Sequence, residues 1–541
     1  MCPFDDDNDL TSLKPKAISL WHAHQSVLSE RDALAQKVKD LEAQVAKKNR
    51  ALFGPKSERS KPSESAASGT PAAIETPTAG DVATESSEPN KRGRGNTRRP
   101  QPRLRKEQVV HELPADELTC EECGGTFELF EGQNEESTEI DVIRREFVQR
   151  KHVRQKYLCR CGACPRTAKG PLKLKEGNLY SVAFGAHVAA AKYDQHQPLE
   201  RQARVMQSEG LNIDSQTLWD QTDSVAFWSI GAYRKITAQV LSAPVVGADE
   251  TQWRLMDTRS NAKEPTSRWW VWAVRSPAAV VYHLDEHRSK DAAATLLRGY
   301  EGVVMCDGYG AYLSLAAQFA SIKLAHCWSH IRREFHAIEA STAGASGGML
   351  ALIDELFAID REARTLGEAL LAQAQRDEDR ALAEAGASTL LLHARSTRAA
   401  PLLDRIASRA LELGLSQPRE NALYTACAKM ARQWEGLVRF VGDARIPLHN
   451  NDTEQSQRAP VLGRKNHQGS RSERGTRVSA ILYTLVESAK LAKVDPERYL
   501  LLCVRRALRK KPPVTPSEVT AAMLVEDCEL SEDQASAALG G

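Results

Sequence analysis

Apolar residues recur along this chain with periods that change from region to region. Between residues 20 and 52, Val27, Leu34, Val38, Leu41, Val45 and Leu52 fall at alternating spacings of three and four, with gaps at Arg31 and Lys48. That spacing predicts a helix carrying a short coiled-coil seam. The next stretch is rich in Ser, Pro, Ala, Thr and Glu and nearly lacks large apolar side chains. It cannot bury enough surface to fold, so it is expected to be a linker. Residues 185–240 return to an apolar period near four and predict helices, with a break at Gly210 and Ser215 as the next N-cap.

From 244 the period changes to that of strands. "PVVGADETQWRL" predicts a strand ending in carboxylates, "RWWVWAVRS" a second rich in aromatics, and "VVYHLDEHRS" a third. "KDAAATLLRGY" then reads as a helix, and "GVVMCDGYGAY" as a short apolar strand ending at Asp307. A helix, the strand "IKLAHCW" and the helix "SHIRREFHAIE" follow. Three strands followed by alternating helices and strands is the order of a ribonuclease-H-like α/β fold. An Ala- and Leu-rich helical segment, in which Leu352, Leu356 and Ile359 have core spacing, would be an all-α insertion into it.

The chain has 541 residues, too many for one core, so an α/β multidomain protein is expected. The pattern divides it into an N-terminal helical, coiled-coil segment (1–56), a disordered linker with a basic end (57–106), a zinc-binding cysteine module (107–175) and a helical region expected to bind DNA (176–240). The first part of the α/β core (241–340), the helical insertion (341–440), the rest of the core with C-terminal helices (441–511) and a tail (512–541) complete the division. The net charge of +2 points to no partner, but eight Lys or Arg fall within 91–106, and "RRALRKK" spans 505–511. Single-sign runs of this kind are usually solvated and often bind nucleic acid. No apolar stretch is long enough for a membrane span, and the acidic start "MCPFDDDNDL" lacks the pattern of a signal peptide, so a cytoplasmic protein is expected.

Five of the eleven cysteines cluster, as Cys120-x-x-Cys123 and as Cys159, Cys161 and Cys164. Two such pairs flanking a strand-like stretch suit a tetrahedral structural zinc. Cys161 and Cys164 make the tidier second pair, and Cys159 remains open.

The candidate chemistry lies in carboxylates. In the expected fold, Asp249 and Asp307 stand at neighbouring strand ends, where they repel unless a cation lies between them. Mg²⁺ takes carboxylate oxygens and keeps positions open for phosphate. A third carboxylate would come from a later helix. Asp452 and Glu454 in "IPLHNNDTEQSQRAPVLGRKNH" are the candidates, and being two residues apart on a helix they cannot both face the site. Glu250 rivals Asp249, and Asp307 could equally serve an Asp-Gly turn. Cys306 and Cys327 read as buried, and His326 and His330 as core or supporting groups. Arg458, Arg464 and Lys465 follow the acidic pair and are the candidate phosphate contacts.

"LFGPKSER", the cysteine pairs, "DETQW", "CDGYGAY", "AHCWSHIRREF", "NNDTEQSQR", "GRKN" and "AILYTLVESAKLAKVDPERYL" occur in this order over most of the chain. The set resembles the motifs of the bacterial insertion-sequence sixty-six family of transposases. The resemblance implies a DDE transposase with Asp249, Asp307 and Glu454 as the metal-binding triad, selecting Glu454 over Asp452. It implies two Mg²⁺ (or Mn²⁺) ions about 4 Å apart, strand cleavage at the element ends and attack of the freed 3′-hydroxyl on target DNA. Its implied partners are the terminal inverted repeats, target DNA, further copies of the chain and small accessory proteins, with the nucleoid as location when bound. The alternatives are a metal-dependent nuclease or resolvase of the same fold and a DNA-binding regulator without catalysis.

Overall fold

The computed structural model describes residues 146–157, 166–256, 267–342, 344–374 and 376–540. The coiled-coil seam, the linker with its basic end and all five clustered cysteines lie outside the described residues. A two-residue antiparallel pair, β1 (Lys156–Tyr157) and β2 (Arg166–Thr167), precedes four helices: α1 (Val182–Tyr193), α2 (Leu199–Ser208), α3 (Ser215–Trp228) and α4 (Ile230–Leu241). The cap of α3 is Asp214, whose carboxylate accepts the Thr217 N–H at 2.7 Å. Ser215, expected as the cap, is already in the helix, because the carboxylate one residue earlier reaches that donor first.

The sheet is mixed. Its strands are β3 (Val245–Leu255), β4 (Ser267–Arg275), β5 (Val280–Asp285), β6 (Gly302–Cys306) and β7 (Ile322–His326). Their order is β5-β4-β3-β6-β7, antiparallel across β5, β4 and β3 and parallel across β3, β6 and β7. Helices α5 (Lys290–Leu296), α6 (Gly310–Gln318) and α7 (Trp328–Ala337) follow β5, β6 and β7 in turn. The strand period of two divides the sheet between two cores. Val245, Val303, Met305 and Ala325 pack with α7 and the helices after it, while Val246, Val304, Cys306 and Leu324 pack on the opposite face.

Four helices follow α7: α8 (Ala345–Gln373), α9 (Asp377–Ala394), α10 (Ala400–Leu415) and α11 (Ala422–Val438). The π turn at Arg395–Ala399 buries the Arg395 guanidinium completely. Arg395 donates to Asp360 and to the carbonyls of Phe440, Asp443 and Ile446 at 2.8–3.0 Å. It thereby fixes the chain that leads into α12 (Asn451–Ser456) and α13 (Arg458–His467).

Helix α14 (Glu473–Leu491) closes the free edge of β5. Ser488 and Thr484 accept the Val280 and Tyr282 N–H groups at 3.1 and 2.9 Å, which removes the donors an edge strand would otherwise expose. Two sequence expectations fail at the C-terminal end. The run at 505–511 belongs to α15 (Pro496–Leu508) and the turn after it, and four of its cations, Arg505, Arg506, Arg509 and Lys511, are paired within the chain. Arg506, Arg509 and Lys511 meet the buried Asp527, and Arg505 meets Glu529. Residues 512–540 are not a loose tail: they form α16 (Ala521–Cys528) and α17 (Glu532–Ala538), capped by Thr520 and Ser531, and they bury Leu524, Cys528, Ala535 and Ala538. The acidic residues that neutralise the basic run are supplied by that segment. Among the described residues, no helix is long and apolar enough to cross a membrane.

Candidate active site

Asp249 lies in the middle of β3, not at its end. The strand continues to Leu255 because β4 pairs with it from Gly247 to Leu255, whereas β6 pairs only with Val245–Gly247. Asp249 is therefore just past the point where the parallel neighbour leaves. The Ala248 and Asp249 carbonyls take side-chain donors: Asn450 Nδ2 at 2.8 Å and Gln457 Nε2 at 2.9 Å. These two residues bracket α12, so the helix is clamped to β3 at both ends.

Gly247 permits the clamp. A Cβ there would run into Thr453 Oγ1 of α12, so a side chain would force the helix off the strand. Arg275 Nη1 reaches the Asp452 carbonyl at 2.7 Å, and the Tyr282 hydroxyl reaches the Ser456 carbonyl at 2.6 Å. Within α12, Asp452 is exposed, while Glu454 is half-buried.

Asp307 follows β6 directly. One carboxylate oxygen accepts the Tyr309 N–H at 2.8 Å across a turn whose Gly308 has φ +82°. The Asp-Gly turn and the placement of a carboxylate beside β3 are thus the same feature. A Cβ on Gly308 would strike the Gln433 amide of α11, a second reason for glycine.

Electrostatics tie the three carboxylates together. Burial, and then the charges of Glu250, Glu454 and Asp307, push the Asp249 carboxyl well above the usual range. Glu250 has a different fate. Its side chain is 2% exposed, and Arg288 donates to it from Nε at 3.0 Å and Nη2 at 2.6 Å, with the Tyr312 hydroxyl at 2.9 Å on the other oxygen. Burial raises its pKa, and these donors work against that rise. Arg288 is stacked over Tyr309 at 3.9 Å and Trp270 at 5.0 Å. Glu250 is therefore a satisfied carboxylate on the strand position next to the one that faces Glu454.

Glu454 meets Arg333 Nη2 at 3.1 Å through Oε2, while Oε1 lies 3.7 Å from His330 Nδ1. That Oε1 is buried without a hydrogen-bond partner, as is His330 Nδ1. An orphaned carboxylate oxygen beside a carboxyl already crowded by like charges is an arrangement that a divalent cation would relieve.

The basic candidates divide. Arg458 and Lys465 are exposed on α13. Arg464 is half-buried and donates to the Gln252 carbonyl of β3. Sequence reasoning did not find Arg288, Arg333, Asn450 or Gln457. Nothing in their local pattern separates them from ordinary polar residues, and only the fold brings them to β3 and α12. Among the tryptophans, Trp272 is core and Trp269 and Trp270 are half-buried. A cleft of about 590 Å³ elsewhere, lined by Trp269, His283, Asp285 and Arg477, contains none of the three carboxylates.

The family model described as "Transposase C of IS166 homeodomain" matches residues 40–117. The Sinorhizobium fredii protein y4jD is 27% identical over 495 residues, 88% of this chain and 93% of that protein. From the same organism, y4hP is 26% identical over 421 residues (73% of this chain, 71% of that protein), and y4qI is 27% identical over 434 (77% and 74%). The family model described as "Transposase IS66 family" matches residues 177–478, which hold the whole sheet and α12. With more than half of its length matched, the chain belongs to the IS66 family of transposases.

Proposed function

We propose that the chain is a DDE-type transposase in which Asp249, Asp307 and Glu454 hold Mg²⁺ (or Mn²⁺) for DNA strand cleavage and strand transfer. The strand order β5-β4-β3-β6-β7, with its antiparallel and parallel halves, supports a ribonuclease-H-like core, with α8–α11 as the helical insertion. The observation that carries the reading is the Asp249 carboxyl, raised by burial, then by its neighbour Glu250, and then by both of the other carboxylates, Glu454 of α12 and Asp307 after β6. The three acids come from distant parts of the sequence, and among the described residues Arg333 donates to Glu454 while Arg288 acts on Asp307 only through its charge.

Bound divalent ions would supply Lewis acidity toward a phosphodiester and neutralise its developing charge. The chain's own part is placement. Asn450 and Gln457 hold α12 against β3, Arg275 ties it to β4, and Gly308 sets the turn that presents Asp307. Arg288 and Tyr312 keep Glu250 out of the set. Arg458 and Lys465 are placed to meet DNA phosphates beyond the acids. The substrates are the element's terminal repeats and target DNA, handled by an assembly of several copies, with small accessory proteins where the element encodes them.

The test is a pair of substitutions two residues apart. Glu454→Gln should abolish cleavage and transfer of end-bearing DNA while leaving DNA binding nearly intact, because binding is spread over many phosphate contacts. Asp452→Asn should do much less, since its side chain is exposed. The reverse result would overturn the assignment. Cleavage without strand transfer would instead mark a nuclease.

A further inference from the structure

We propose that Cys327, His330 and Glu454 form a site for a thiophilic divalent cation of the zinc class, distinct in chemistry from the all-carboxylate set. The Cys327 sulfur, a ring nitrogen of His330 and a carboxylate oxygen of Glu454 lie within 4.8 Å of one another. One small cation can be reached by all three. Mg²⁺ does not favour sulfur, whereas zinc, cobalt and cadmium do.

The fold builds this cluster from two segments. Cys327 is the N-cap of α7, and His330 sits in the helix's first turn, so Cys327-x-x-His330 brings sulfur and ring together. The Trp328 N–H donates to the Leu448 carbonyl at 2.9 Å, which holds the chain before α12 against the same turn. The Asn450 N–H points at the Cys327 sulfur from 3.2 Å, and the N–H groups of His330 and Ser329 also converge on it. Burial raises the Cys327 thiol above its usual range, and these donors work against that rise, toward the thiolate that binds metal.

A second observation is independent of the spacing. Glu454 Oε1 and His330 Nδ1 face each other at 3.7 Å, and both are buried with no hydrogen-bond partner. Two unsatisfied ligand atoms pointed at one another, with a sulfur beside them, are donors that one cation would satisfy together. Arg333 is the competitor. Its Nη1 lies 3.4 Å from His330 Nε2, and its Nη2 donates to Glu454 Oε2. Its long side chain is 42% exposed, so it can swing into solvent when the ion enters. Ion binding would release the thiol proton to solvent and leave a fourth position open.

One consequence rests on the function proposed above. Glu454 can serve either this ion or the carboxylate set, so a zinc-class ion would withdraw Glu454 from catalysis. The site itself does not depend on that reading.

The test uses the full chain, titrated with Co²⁺ and read by thiolate-to-cobalt charge-transfer absorption. The cysteine pairs near the N-terminal side contribute equally to every variant compared, so the difference from Cys327→Ser isolates this site. Wild type should bind one more thiolate-ligated Co²⁺ than Cys327→Ser. His330→Gln, at a half-buried ring where folding is not at stake, should weaken that extra ion by at least about tenfold. Asp249→Asn should leave it in place. Identical cobalt spectra for wild type and Cys327→Ser would overturn the proposal, as would wild-type affinity in His330→Gln. If Asp249→Asn still cleaves DNA, the DDE reading fails while the cobalt result stands. If Asp249→Asn is inactive and the extra cobalt is missing, only this inference fails.

Discussion

Asp249 is a half-buried aspartate and Asp527 a fully buried one, and their surroundings are opposite. Around Asp527, burial alone would raise the pKa, but hydrogen bonds from Lys511, Arg506 and Arg509 outweigh it and pull the carboxyl below its usual range. The contacts are 2.6, 2.7 and 3.1 Å. Around Asp249, burial raises the pKa, and the charges of Glu250, Glu454 and Asp307 raise it further. One site is a closed ion-pair network that stabilises the docking of α16. The other has only the Glu250 backbone hydrogen bond working against the rise, the state expected where an external cation completes the set. A buried charge says little about function until its partners are known.

The largest effect should come from breaking the acid set. Asp249→Asn should lower strand cleavage by at least about a thousandfold, with unchanged circular dichroism. In metal-free protein the same variant should melt no lower than wild type, because it removes a charge from a like-charged cluster. A clear loss of stability would mean that Asp249 is structural, and the contrast with Asp527 would collapse.

Asp527→Asn should behave in the opposite way. Its side chain is fully buried, but Arg509 and Lys511 are about 30% exposed, so the loss belongs below the range for fully buried pairs. A cost of about 2 kcal/mol, read by denaturant unfolding, is expected. DNA cleavage under conditions where the variant is folded should match wild type.

Much of this contrast was legible in the sequence, but unevenly. Strand periodicity gave β3 to β7 and the helices between them in order, because "VVMC" and "IKLAH" are short apolar runs bounded by turns. It also led to Asp307, through the strand-then-Asp-Gly pattern. It misplaced Asp249 at a strand end, because how far β3 extends depends on β4, a partner that periodicity does not reveal. It read 505–511 as a solvated run, because the neutralising Asp527 and Glu529 lie in a segment that looked like a tail. Local pattern reports which face is apolar. It does not report which charges meet across the fold.

The pH dependence should carry the same contrast with opposite sign. Asp527 has a folded pKa below its unfolded value of about 3.9. Its contribution is therefore present above that value and is lost as pH falls through the folded pKa. The stability gap between wild type and Asp527→Asn should close on acidification below about pH 4. Asp249 has a folded pKa above its unfolded value, so its ionisation opposes folding. In metal-free protein, the gap between Asp249→Asn and wild type should narrow as pH falls through the folded pKa and Asp249 becomes neutral. Parallel profiles for the two variants would refute the claim that their partners differ.

The smallest effect separates the two groups of cations. Lys511 is the third cation on Asp527 and is 30% exposed, so Lys511→Met should cost much less stability than Asp527→Asn. Because that ammonium is occupied by Asp527 and Glu526, at 2.6 and 2.7 Å, it is not available to DNA. DNA affinity and its salt dependence should therefore be unchanged in Lys511→Met. Lys465 is exposed on α13, beyond the acid set. If it contacts a phosphate, Lys465→Met should reduce the slope of log affinity against log salt by about one. A fall in the salt slope for Lys511→Met, with none for Lys465→Met, would reverse the assignment and put DNA on the α15 face.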